Sequence, residues 1–322
     1  MKLVNREDVQ IIVKHSNVHK AKVAELLNEH VHAKQKDWQK FLRLLFISLG
    51  VGFVTAGIIF FFAYNWDELN KFIKLALVQG LVVASSLIVV FSRVSPVIKN
   101  ITLTGAAMLV GLLFAVFGQI YQTGANAYDF FLAWTIFITL WVLISRFSPM
   151  YLLFILLINT TLVLYSQQFA PQWSSSTLTI ILLLLNTAFL CGMLFLQLRN
   201  QDDFPAIWLT HLISLAITAI AVIGIIINLS ETEEDGLFLL TFVVFILFGI
   251  GVWHGFSSKK LFYLAVIFFG IIITISAFII DASQESASFF FVSIFIMLSV
   301  TFLIYGMIKL QKEWTKSLNN ES

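Results

Sequence analysis

Few residues of this chain could do chemistry, and most of them gather in two short segments. Asn65, Trp66, Asp67 and Glu68 stand together in the first, and Gln119, Tyr121, Gln122, Asn126 and Asp129 in the second. Carboxylates in pairs could pass protons to and from a lipid or glycan, but neither segment contains a histidine or a metal-ligand set. Amides beside Tyr and Trp suit a different task, which is hydrogen bonding to a ligand held against aromatic walls. The candidate ligand site is therefore Asn65, Trp66, Lys74, Gln119, Tyr121, Gln122, Asn126 and Asp129, with Asp129 as its charged member and Lys74 as the nearest counter-charge. No catalytic residue is assigned. His15, His19, His30 and His32 have a spacing at which two imidazoles can share an ion. Ser16 and Asn17 read as a helix break and cap, however, nothing nearby completes a ligand set, and solvated histidines without a metal are expected. Cys191 is the single cysteine and lies inside an apolar run, so disulfides and thiolate metal sites are excluded.

The elements that position these residues belong in a membrane. Of 322 residues, 59% are hydrophobic and 12% charged, against about 25% charged in a globular domain, and the mean hydropathy is +0.92. A helical span needs about 20 apolar residues. Runs of that kind occur at 41–64, 72–91, 101–120, 128–145, 150–166, 178–198, 207–229, 237–253, 261–280 and 289–308. The connections are short, which makes neighbouring spans antiparallel hairpins. The expected fold is an all-α polytopic bundle of about ten spans with a short N-terminal cytoplasmic helical segment. It divides into that segment (1–40), a five-helix half (41–166), a second five-helix half (167–308) and a cytoplasmic tail (309–322). Residues 1–40 are polar, and the first apolar run is too long for a signal-peptide core, so the first span is retained.

Cations set the orientation, because cytoplasmic loops keep Lys and Arg. Eighteen of the 20 Lys and Arg fall in one alternate set of segments, and the other set has only Lys71 and Lys74. That second set carries Asp67, Glu68, Asp129, the ETEED cluster at 231–235, Asp281 and Glu285. Both termini are thus expected in the cytoplasm, and both polar-aromatic segments at the outer face.

Helices in lipid meet through small residues. Ser48, Gly52 and Ala56 form one four-residue stripe and Ala107, Gly111 and Ala115 another, which predicts that the first and third spans pack together and lead to the two polar segments. No Asp, Glu, Lys or Arg lies near the centre of a span. An ion-coupled pump, which ordinarily keeps an intramembrane carboxylate, is disfavoured. Gln79, Asn159, Asn186, Gln197 and His211 are the polar groups at depth, and they read as links between helices.

The motifs FFAYNWDEL (61–69) and FGQIYQTGANAYDFFLAW (117–134), with KLAL (74–77) after the first, resemble a bacterial family of polytopic membrane proteins of unknown function. The resemblance covers roughly 41–166 and implies multi-pass residence in the bacterial cytoplasmic (inner) membrane. It brings no activity, substrate or cofactor, and none is expected here. The functional expectation is a non-enzymatic binding or transport protein with an outward-facing polar and aromatic pocket, whose two halves could form inverted repeats. The alternatives are a structural, sensory or assembly protein acting through partner helices, and a membrane enzyme of envelope lipids or glycans. Membrane lipids are the expected partners, together with a small molecule or other membrane proteins, and nucleic acid is excluded by a net charge of only +2.

Overall fold

A computed structural model of the chain describes residues 34–64, 70–121, 124, 126–199, 204–230, 234–283 and 286–320. The N-terminal segment up to residue 33, with its four histidines, lies outside them. Among the described residues the regular structure is entirely helical, in ten helices each long and apolar enough to cross a membrane. They are α1 Gln35–Tyr64, α2 Lys71–Phe91, α3 Pro96–Tyr121, α4 Ala127–Ser145, α5 Ser148–Gln168, α6 Ser175–Arg199, α7 Ile207–Leu229, α8 Glu234–Ser257, α9 Leu261–Ser283 and α10 Ser286–Asn320. Each contains one expected apolar run. The helices outrun the apolar stretches because backbone hydrogen bonding continues through polar residues that hydropathy excludes. α10 shows this most: its 35 residues span about 52 Å, well beyond a hydrocarbon core of about 30 Å. The expected tail at 309–322 is mostly its continuation.

The chain divides into two compact units after Leu112, inside α3. In the first unit, α1 and α3 do meet, though through a different face of α1 from the expected one. Gly52 and Ser48 are exposed, and a Cβ at Gly52 would touch nothing within 4 Å. The close approach is at Gly105 of α3, where a Cβ would lie 2.6 Å from Val51 Cγ1 and 3.2 Å from Thr55 Oγ1. Small residues on one helix are filled by larger ones on its neighbour, so a stripe on both is unnecessary. Gly105→Leu should therefore lower the melting temperature of the purified protein by several degrees, since stiff β-branched side chains cannot swing aside. Gly52→Leu should leave it near wild type, and equal losses would place the contact elsewhere.

The second unit is organised around α7, which packs against α5, α6, α8 and α9. Eleven of its residues are buried, including Thr210, Ser214, Thr218 and Asn228. Glycine again admits the neighbours. A Cβ at Gly224 would overlap Thr179 of α6, and one at Gly270 of α9 would lie 2.5 Å from Thr218 Cγ2. On α8, Gly251 and Gly255 form a four-residue pair that receives Ile267 and Leu264 of α9, at 2.5 and 2.7 Å from the respective built Cβ positions. Most polar groups within the spans are satisfied within the protein, as a lipid setting favours, the buried hydroxyls of Ser92, Thr187 and Thr241 being the exceptions among the described residues. Thr160, Thr161 and Thr179 donate to the carbonyl four residues earlier at 2.8–2.9 Å. Asn159 and Asn186 link α5 to α6 through reciprocal amide bonds. Gln197 instead donates to Pro205 O at 3.0 Å in the following connection, and His211 stacks on Phe262 of α9, with centroids 4.0 Å apart.

Candidate functional site

The second polar segment is built where α3 ends and α4 begins. α3 runs to Tyr121, the chain passes through Gly124 at φ +64°, a left-handed conformation that L side chains rarely adopt, and Asn126 then caps α4 in an extended conformation. Asp129, three residues on, reaches back so that its Oδ2 accepts the Asn126 N–H at 3.1 Å. This is the reciprocal half of a capping box, and it puts a carboxylate against the positive end of the helix dipole.

Around this junction lies a hollow of about 740 Å³, lined by Gln119, Gly124, Asn126 and Asp129 together with Phe114, Phe117 and Phe130. Three expected site residues thus share one hollow. Tyr121 does not line it but packs on Phe117, with centroids 4.7 Å apart. Lys74 belongs to the first unit, one turn into α2, and its side chain is buried at 6% exposure. Asn65, Trp66 and Gln122 lie outside the described residues, as do Asp67 and Glu68.

The α5–α6 connection (169–174), read from sequence only as a break between spans, supports the start of α4. Gln168 Oε1 accepts the Tyr128 N–H at 3.2 Å, one of the orphan donors of a helix N-terminus. Tyr128 packs edge-on against Phe169 and Tyr165, at 4.7 and 5.5 Å between centroids, and Tyr165 meets Trp173 at 5.7 Å. The aromatic composition of QQFAPQW was the available signal. Tyr165 and Phe169, the former backed by Trp173, thus hold Tyr128 and so fix the helical turn that carries Asp129.

Among the described residues, no group of three or more His, Cys, Asp or Glu is placed to hold a metal ion. The hollow offers two amides, one carboxylate and three phenyl faces. That set can hydrogen-bond a hydroxyl or carbonyl, attract a cation, and cover an apolar body.

No curated protein matches the chain. Residues 13–151, which contain both motifs and the α3–α4 junction, match the model of a family described as a predicted membrane protein (DUF2157), and the ten long apolar helices make this chain a multi-pass membrane protein.

Proposed function

We propose that the chain is a non-enzymatic binding or transport protein that takes a small amphipathic molecule at the α3–α4 junction. The observation that carries this reading is the convergence of Gln119, Asn126 and Asp129 on one hollow walled by Phe114, Phe117 and Phe130. Amides and a carboxylate at the apolar edge of a bilayer are costly unless paired, and a ligand with polar and apolar faces would pair what the capping bond of Asp129 leaves open. Binding is favoured over catalysis because, among the described residues, a single carboxylate and no histidine line the hollow. Tyr121 and Gln122, at the same junction, are proposed as flanking members of this site, Tyr121 through its packing on Phe117.

The test is to purify wild type and Gln119→Leu/Asp129→Asn side by side and to quantify co-purifying lipids and small molecules. A species held by wild type should fall about tenfold in the variant, the loss of roughly one charged hydrogen bond, at an unchanged melting temperature. Identical extracts would refute the site. A variant that fails to fold would favour a structural or assembly role through partner helices. That second reading is supported by α1, where a Cβ at Gly50, Gly52 or Gly57 would meet nothing within 4 Å.

The proposed setting is the bacterial inner membrane with both termini cytoplasmic. In a Cys191→Ser background, an impermeant maleimide added to spheroplasts should label Gln172→Cys but reach Ser95→Cys only after lysis. The opposite pattern would invert the chain.

A further inference from the structure

Four helices of the second unit, α6 to α9, enclose a pocket of about 240 Å³ that lies outside the matched family region. Its length follows from α8, where Leu247 and His254 both line it, seven residues or about 10 Å apart along the helix. No Asp, Glu, Lys or Arg lines it. The volume equals the liquid share of about eight waters, each of which needs two to four polar partners. The walls, mostly Leu, Ile, Phe and Trp, supply far too few, so the natural occupant is largely apolar.

Ser214, Thr218, Tyr263 and Cys191 also line it, with the Thr218 hydroxyl donating to Ser214 O at 3.1 Å, and two further polar groups mark its ends. Thr187 Oγ1, midway along α6, is buried and has no hydrogen-bond partner. Its neighbours on α5 and α6 settle theirs on their own helix backbone, whereas an unpaired buried hydroxyl costs about 1–3 kcal/mol. Thr187 is thus a donor in want of an acceptor. At the other end stands His254, its ring 5.5 Å from that of Tyr263. Tyr263 already donates its hydroxyl to Thr210 Oγ1 at 3.2 Å, so the polar group there is the imidazole, which meets Ser258 Oγ only at the long distances of 3.4 and 3.5 Å. Phe248 and Trp253 add flat aromatic surface between the two ends.

We propose that this pocket binds the head of an uncharged, carbonyl-bearing lipid of the quinone type. One carbonyl accepts from Thr187, a second faces the His254 end, the ring lies against the aromatic walls, and the hydrocarbon tail leaves between helices into lipid. A carboxylate or phosphate head would enter without a cation in the lining, and a plain acyl chain would leave Thr187 unpaired.

The full chain in detergent, titrated with decylubiquinone, lauric acid and dodecane, separates these cases. Decylubiquinone should bind once per chain and more tightly than either competitor. Thr187→Val, nearly isosteric, should weaken it about tenfold with the melting temperature held or raised; Thr187→Ser should retain it; and Leu190→Trp, which fills the pocket, should abolish it. Wild-type affinity in Thr187→Val, or equal binding of dodecane, would reduce the pocket to an acyl-chain groove and overturn the proposal. Tightest binding of lauric acid would overturn it in favour of an acidic head. Gln119→Leu/Asp129→Asn should leave quinone binding unchanged, so failure here is separate from failure of the α3–α4 site.

Discussion

Replacing Gly224 with leucine should destabilise the second unit by about 3 kcal/mol, the upper part of the range for overpacking a filled core, a fall of roughly 6–12 °C in melting temperature. A Cβ at this position already overlaps Thr179 Cγ2 and comes within 3.2 Å of Thr179 Cβ. Thr179 has nowhere to go: it is β-branched, and its hydroxyl is tied to Ser175 O at 2.8 Å. Relief must come from moving α7 away from α6, and α7 also carries contacts to α5, α8 and α9. Gly249→Leu is the matched control, because a Cβ there meets nothing within 4 Å. Thermal unfolding of the two variants in one detergent makes the comparison, and a Gly224→Leu loss no larger than the control would refute the packing.

Asn186→Leu should be nearly as damaging, and a second substitution should repair it. Asn159 Nδ2 donates to Asn186 Oδ1 at 3.2 Å and to Ile155 O at 2.7 Å, while Asn186 Nδ2 donates to Asn159 Oδ1 at 2.7 Å and to Leu182 O at 2.8 Å. Every N–H and both carbonyls are engaged, at a site where Asn186 is 3% exposed. The single variant strands the Asn159 amide in an apolar interior, at about 1–3 kcal/mol. Asn159→Leu/Asn186→Leu removes both polar groups and should cost only what such a pair contributes in a membrane, about 0.6 and at most 1.7 kcal/mol. The double variant is thus expected to melt above Asn186→Leu. Additive losses would mean that the amides act separately.

These two sites also show what could be read from the sequence. The ten spans could, because hydropathy records how much of a segment leaves water and a membrane demands about 20 such residues at a time. Which face of a span meets a neighbour could not, because a helix contact and a lipid contact are equally apolar. Ser48, Gly52 and Ala56 looked like a contact stripe, yet Ser48 and Gly52 are exposed and Ala56 is only half-buried, while Gly251 and Gly255, equally spaced, hold α9. The difference lies in whether another helix brings an Ile267 or Leu264 to fill the notch, a matter of tertiary arrangement. Asn159 and Asn186 were recognisable as interhelical groups, since an amide at depth must find a partner. That the partner was the other asparagine depended on the hairpin register. At the candidate site, Gln119, Asn126 and Asp129 share a hollow because fewer than ten residues separate them across one turn. The support of Tyr128 by Gln168, Phe169 and Tyr165 crosses some 40 positions of sequence, and no local pattern announces it.

The central place of α7 has a consequence for how the protein is made. Spans enter the bilayer in the order in which the ribosome delivers them, and α4, α5 and α6 are all inserted before α7 emerges. Until then the notch-filling Thr179 of α6 has no Gly224 to receive it, and the α8–α9 pair closed by Gly251 and Gly255 does not yet exist. α4 and α5 can pair as soon as both are inserted, but assembly of the rest of the second unit waits on its fourth complete helix. A nascent chain that stalls before Ile207 leaves α5 and α6 in the membrane without the helix they pack against.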